Sequence, residues 1–177
     1  MKNNIHHHYL KSPVEVVTTS LESPSNHIQE YIAEAYRIGD SMNNTTNVKA
    51  WMSSYKVWEQ TKIFNRLFEI IENLVNLLEC FNDPNMHYKI TNAWSAVYKK
   101  GHYTIPHHHI PSNLSFVYYL KTSGNTPLIF DQCNFPISPK DDEIIIFPSY
   151  LIHSVPEHQY EEDRICIAGN LDLFPNK

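Results

Sequence analysis

From residue 87 onward the chain breaks into short runs rich in β-branched and aromatic residues: "YKITNAWSAVYKK", "SNLSFVYYLK", "PLIFD", "DEIIIFPS" and "RICIAGNLDL". Gly, Pro, Asn and Asp separate them, which is the chemistry of turns between strands. Several short strands at this spacing restrict the fold to a sandwich or barrel of antiparallel type, and a jelly roll fits best.

The residues before 87 follow a different period. "SNHIQEYIAEAYRIGD" places Ile28, Tyr31, Ile32, Ala35 and Ile38 on one helical face, with Gly39 as its stop and Asn26 with Gln29 as a capping box. After the polar loop "GDSMNNTTN", Phe64, Leu67, Phe68, Ile71, Leu74, Val75 and Leu78 repeat at three-and-four spacing, and the pattern ends near Asn82–Pro84. The reading is therefore α+β: an N-terminal strand and two helices, within 1–86, brace an antiparallel jelly-roll core over 87–177. With 177 residues the chain is expected to form a single domain, 1–177, in which residue 86 marks a change of layer.

Charge and cysteine usage narrow the function. A formal charge of −5 gives no electrostatic footprint for nucleic acid. Cys80, Cys133 and Cys166 are odd in number and contain no CxxC pair, so a reducing, cytoplasmic compartment is expected (that of a host cell if the chain is viral). No window approaches the roughly 18 apolar residues of a membrane span, and the N-terminus lacks the apolar segment of a signal peptide. The triplet His6–His8 reads as solvated surface.

The stretch "KGHYTIPHHHIPSNL" raises the chemical question. Side chains at i and i+2 on a strand share a face, so His107 and His109 converge while His108 points away. Imidazole suits iron, zinc, copper and nickel, and one more ligand is needed from another strand. His153, in "IIIFPSYLIHSV", begins the segment after a buried strand and a turn, where a jelly roll can fold it back beside the first pair. His158 and His108 read as surface or satisfied core groups, and His102 is undecided. Three protein ligands leave coordination positions open, the layout of a catalytic rather than a structural site. Zinc would use an open position to activate water; iron(II) would use two or three to bind an organic acid and oxygen.

Arg164 bears on that choice. It lies in "EDRICIAGNL", inside a run that otherwise reads as a buried strand. A guanidinium there is costly to desolvate without an anionic partner. A carboxylate of the protein, a ligand carboxylate, or a side chain reaching solvent would each resolve it.

Taken together, the His-x-His pair, the "YYL" strand, "FPSYLIHSV" and "RICIAGN" resemble the iron(II)- and 2-oxoglutarate-dependent oxygenases. The nearest branch is the small prolyl-hydroxylase-like proteins of phages and marine bacteria. The resemblance covers most of residues 92–171, with a weaker echo in "TNVKAWMSSY". It implies His107, His109 and His153 as ligands of Fe(II). It implies Arg164 and Tyr119 as partners of the distal carboxylate of 2-oxoglutarate, with Tyr98 lining the same pocket. The implied reaction consumes O2, converts 2-oxoglutarate to succinate and hydroxylates an unactivated C–H bond of a peptide, protein or small molecule, with ascorbate as a possible reductant. Two departures stand out: His109 occupies a position where most of the superfamily has a carboxylate, and Cys166 stands where relatives usually carry serine.

A cupin-type metalloenzyme with a three-His site is the alternative, since "GHYTIPHHH" begins like the first cupin motif. The glutamate that motif requires is replaced by Asn113 and Leu114, and cupins have no need of Arg164. Cupins share the double-stranded β-helix, so the fold expectation is the same. A non-catalytic jelly-roll module that binds a metal or partner is the third reading. Substrate identity and oligomeric state are not encoded legibly; loops at 39–57, 103–113 and 156–163 are the expected substrate-facing segments.

Overall fold

The computed structural model describes residues 14–45, 47–81 and 83–176. His6–His8 and the ends of the 1–177 span lie outside them. Eleven strands, two α-helices and a 3-10 turn follow in the order β1 (Val17–Ser20), α1 (Ser25–Ile38), β2 (Asp40–Thr45), β3 (Val48–Met52), the turn Val57–Glu59, α2 (Asn65–Leu77), β4 (Met86–Tyr98), β5 (Tyr103–His107), β6 (Leu114–Lys121), β7 (Leu128–Phe130), β8 (Phe135–Ile137), β9 (Glu143–Pro148), β10 (His153–Val155) and β11 (Arg164–Pro175). Every named pair of strands is antiparallel, in the order β1-β9-β6-β11-β4-β3-β5-β10-β7-β8, with β2 on β3. This curled path is the double-stranded β-helix, or jelly roll, with two helices against it.

Strand period explains the layering. Along β4, β6, β9 and β11 successive side chains alternate faces. One set, including Ala93, Val97, Phe116, Tyr118, Ile144, Ile146, Ile165 and Ile167, forms a core with the helices. The helices supply Ala35 and Ile38 from α1 and Leu67, Ile71 and Val75 from α2. Each buried Leu, Ile or Val side chain among them contributes about 1.5–3 kcal/mol. The other set, including Trp94, Ala96, Tyr98, Tyr119, Ile145, Phe147, Cys166 and Ala168, faces the interior of the roll. There Phe130 of β7 meets Phe147 of β9 edge-on at 5.2 Å, closing the sandwich.

Two local expectations needed correction, and one held for a different physical reason. The capping box at Asn26 and Gln29 does not form: α1 begins at Ser25 behind Pro24, whose fixed φ suits a helix entry, and no side chain caps it. Gly39 does end α1, but with φ −66°, and its role is space, since a Cβ there would sit 2.9 Å from the Ala35 carbonyl. The polar segment at 39–47 is not simply a loop, because Asp40–Thr45 pairs with β3 as a hairpin. Backbone pairing is indifferent to side-chain polarity, so hydropathy does not reveal it. Among the described residues no helix is long and apolar enough to cross a membrane.

Candidate active site

The roll's interior holds a cavity lined by His107, His109, His153, Arg164, Tyr98 and Tyr119, among others. Register brings these together. His153 on β10 stands directly opposite His107 on β5, and Arg164 at the start of β11 stands opposite Tyr98 at the end of β4. Cys166, two residues on, stands opposite Tyr119 of β6. His109 lies beyond the end of β5, yet its ring centroid is 4.9 Å from that of His107 and 5.1 Å from that of His153. His107 and His153 are 4.3 Å apart by the same measure. One ligand atom from each of the three lies within 4.8 Å of the others.

The protonation of the cluster suits a metal. The Nδ1–H of His107 donates to the Ile105 carbonyl at 2.9 Å, and that of His153 donates to the Leu151 carbonyl at 3.0 Å. A carbonyl can only accept, so each ring carries its proton on Nδ1 and turns a bare Nε2 away from the backbone. Burial, reinforced by the neighbouring imidazoles, holds His109 down at about 3 and His153 at about 4, and burial lowers His107 as well. Three neutral imidazoles are therefore presented at ordinary pH, the protonation state that metal binding requires. The donor set fits a divalent iron, cobalt, nickel or zinc ion.

At the other end of the cavity, Arg164 is 1% exposed. Its guanidinium carbon is 4.9 Å from the centre of the Tyr98 ring and 5.0 Å from that of Tyr119, so the cation is flanked by aromatic faces. Its Nε and Nη1 have no hydrogen-bond partner, and neither has the Tyr119 hydroxyl. Arginine stays charged in proteins, and a buried cation without partners is strongly unfavourable. Among the described residues no carboxylate pairs with it. Tyr98 differs from Tyr119, because its hydroxyl shares a 2.8 Å hydrogen bond with Thr104 Oγ1. Burial pushes the Tyr98 phenol up to about 12 and raises that of Tyr119 too, so both remain protonated donors.

The remaining histidines separate cleanly. His108 is exposed and accepts from the Ile110 N–H. His158 is a satisfied core group, bonded to Thr126 Oγ1 at 2.8 Å and to the Glu162 carbonyl at 2.7 Å. His102 Nδ1 accepts from the Lys99 N–H at a turn. A second cleft shares His107, His109, Val48 and Trp94 with the cavity and is also lined by Tyr55, Asn92 and Asn170. Segments 39–57 and 103–113 reach it as expected, but no residue of 156–163 does; that loop leads instead into the buried start of β11. The sequence reading also missed Ser115, Ser149, Asn170 and Asn92, a buried polar chain beside the site. Asn92, Ser115 and Asn170 are polar residues at inward positions of otherwise apolar strands, a signal that marks each as unusual but not as a partner of the others, and Ser149 lies in a turn.

Comparison with known proteins bears on the same residues. Residues 130–170, which include His153 and Arg164, match the model of a 2OG-Fe(II) oxygenase family. No curated protein matches the sequence significantly. A viral collagen prolyl hydroxylase from Paramecium bursaria Chlorella virus-1, in its 2-oxoglutarate complex, superposes with a TM-score of 0.68 at 14% identity, over 88% of this chain and 94% of that one. A Pseudomonas putida prolyl-4-hydroxylase gives 0.65 at 14% identity, over 90% and 92%. HygX of Streptomyces hygroscopicus, with nickel and 2-oxoglutarate bound, gives 0.66 at 9% identity, over 90% and 83%. At such identities the likeness is one of fold. In fold, and in sequence over residues 130–170, the chain thus resembles the iron(II)- and 2-oxoglutarate-dependent oxygenases, prolyl-hydroxylase-like proteins among them.

Proposed function

We propose that the chain is an Fe(II)- and 2-oxoglutarate-dependent dioxygenase that hydroxylates an unactivated C–H bond of a peptide, protein or small-molecule substrate. One observation carries the reading: a neutral three-imidazole cluster shares a cavity with a buried guanidinium whose Nε and Nη1 have no partner in the protein. A cupin has use for the imidazoles and does not require the cation.

His107, His109 and His153 would hold the metal through neutral imidazole nitrogens. Arg164 and the Tyr119 hydroxyl would take the distal carboxylate of 2-oxoglutarate, satisfying the orphaned donors with charge-assisted hydrogen bonds. Tyr98, its hydroxyl committed to Thr104, would supply a ring wall that orients the guanidinium. When bound, Fe(II) with O2 supplies the oxidative decarboxylation of 2-oxoglutarate to succinate that is coupled to substrate oxidation. Phe147, edge-on to His153 at 4.8 Å, and the apolar wall around it keep bulk water from the cavity. The cleft carrying Tyr55 and Asn92 gives a substrate access to the exposed side of the cluster.

The test uses anaerobically purified protein. A rise in melting temperature on adding Ni(II) with 2-oxoglutarate, and succinate formation with Fe(II), ascorbate and air, are expected for the wild type. Both should be lost in Arg164→Ala and His153→Ala. No thermal response to the acid and no succinate in the wild type would overturn the reading.

A further inference from the structure

Two of the three imidazoles are fixed by their own ring hydrogen bonds inside paired strands. His109 has neither support: it lies past the end of β5, and its ring has no hydrogen bond to a described residue. What holds it is ring packing against His107, His153 and Trp94 at 4.9, 5.1 and 5.6 Å, a turn in which the Ser112 N–H donates to its carbonyl at 3.0 Å, and one backbone bond to a distant segment, His109 N–H to the Ser149 carbonyl, at 2.8 Å.

Ser149 is fully buried in the turn between β9 and β10, the turn that also leads to His153. Its hydroxyl is 2.7 Å from that of Ser115 on β6. The direction of this bond is fixed by the rest of the chain. Ser115 Oγ donates its single proton to Asn170 Oδ1 at 2.8 Å, and Asn170 Nδ2 donates to Asn92 Oδ1 at 2.7 Å. Ser149 must therefore donate to Ser115. The result is a one-way relay, Ser149 to Ser115 to Asn170 to Asn92, that ties the turn to β6, β11 and β4. The relay thus ties the turn into one continuous network of polar side chains.

We propose that Ser149 is a positioning residue of the metal centre, holding His109 in place through its backbone carbonyl while the relay holds Ser149. The proposal rests on the metal reading above. Neither Ser149 nor Ser115 would touch the metal; each would act through His109.

The test is Co(II) titration of metal-free protein, followed by its visible absorption, with His109→Ala as a reference. Ser149→Ala and Ser115→Ala should each weaken cobalt binding about tenfold, as loss of an outer partner of a ligand does. The saturated Ser149→Ala spectrum should move toward that of His109→Ala, a change that a merely structural role would not produce. The double variant should bind about as weakly as either single one, because the two hydroxyls act as a unit. Ser149→Thr, which keeps the hydroxyl, should restore wild-type affinity. Should Ser149→Ala fail to fold, Ser115→Ala and Ser149→Thr carry the same comparison. Wild-type cobalt affinity and spectrum in the alanine variants, or losses that add in the double variant, would overturn the positioning role alone. A wild type that binds no cobalt would overturn the metal reading, and this proposal with it.

Discussion

Tyr119→Phe should strengthen the fold and weaken the site. The Tyr119 side chain is fully buried, and its hydroxyl has no partner in the ligand-free protein. A buried hydroxyl left unsatisfied costs about 1–3 kcal/mol. Phenylalanine removes that cost while keeping the ring that stands 5.0 Å from the Arg164 guanidinium carbon. Taking the lower end, about 1 kcal/mol, the melting temperature of a chain this size should rise by roughly 2–4 °C. With the acid bound the sign reverses. A hydrogen bond to a charged carboxylate is worth about 1.5–3 kcal/mol, so the Kd for 2-oxoglutarate should rise by roughly 10–150-fold. The assay is scanning calorimetry of wild type and variant without ligand, then with Ni(II) and graded 2-oxoglutarate, the Kd being read from the stabilisation. A ligand-free Tyr119→Phe that melts below wild type would show that the hydroxyl has a partner after all. An unchanged Kd would show that it does not reach the acid. Either result refutes the reasoning.

Three further outcomes are expected. His109 and His153 have folded-state values near 3 and 4, well below the ordinary 6.5 that each regains on unfolding. The unfolded state therefore takes up protons first, so metal-free protein should lose stability as pH falls from about 6.5 toward 4, and a flat melting profile over that window would contradict it. Gly169→Ala should lower stability by about 1–3 kcal/mol in urea unfolding, because a Cβ there would sit 2.6 Å from the Asn92 carbonyl and 2.7 Å from the Phe116 ring; a neutral result would mean that β4 and β6 can separate freely. Ile71→Ala, at a fully buried position between α2 and the sheet, should cost about 2–5 kcal/mol by the same measurement.

Much of this was legible because it is local. Runs of β-branched and aromatic residues along 88–98, 114–121, 143–148 and 164–173, bounded by turn residues, specified short strands and hence a sandwich or barrel. The helical face of Leu67, Phe68, Ile71 and Val75 specified a helix packed against them. The i, i+2 spacing of His107 and His109 and the charge of Arg164 within an apolar run could likewise be read locally, since each depends only on neighbours in the chain. Tertiary structure decided what depends on register between distant strands. The pairing of His153 with His107 and of Arg164 with Tyr98 made one cavity from two segments. It also left Arg164 Nε and Nη1 and the Tyr119 hydroxyl without a hydrogen-bond partner, while Thr104 bonded the hydroxyl of Tyr98. The Ser149 relay was invisible for the same reason. Its members are spread over three strands and a turn, and no local pattern in the sequence records that a hydroxyl at 149 will meet one at 115. Hydropathy encodes which face of a strand is buried, but the hydrogen-bonding partner of a buried polar group is fixed only when the strands close on one another.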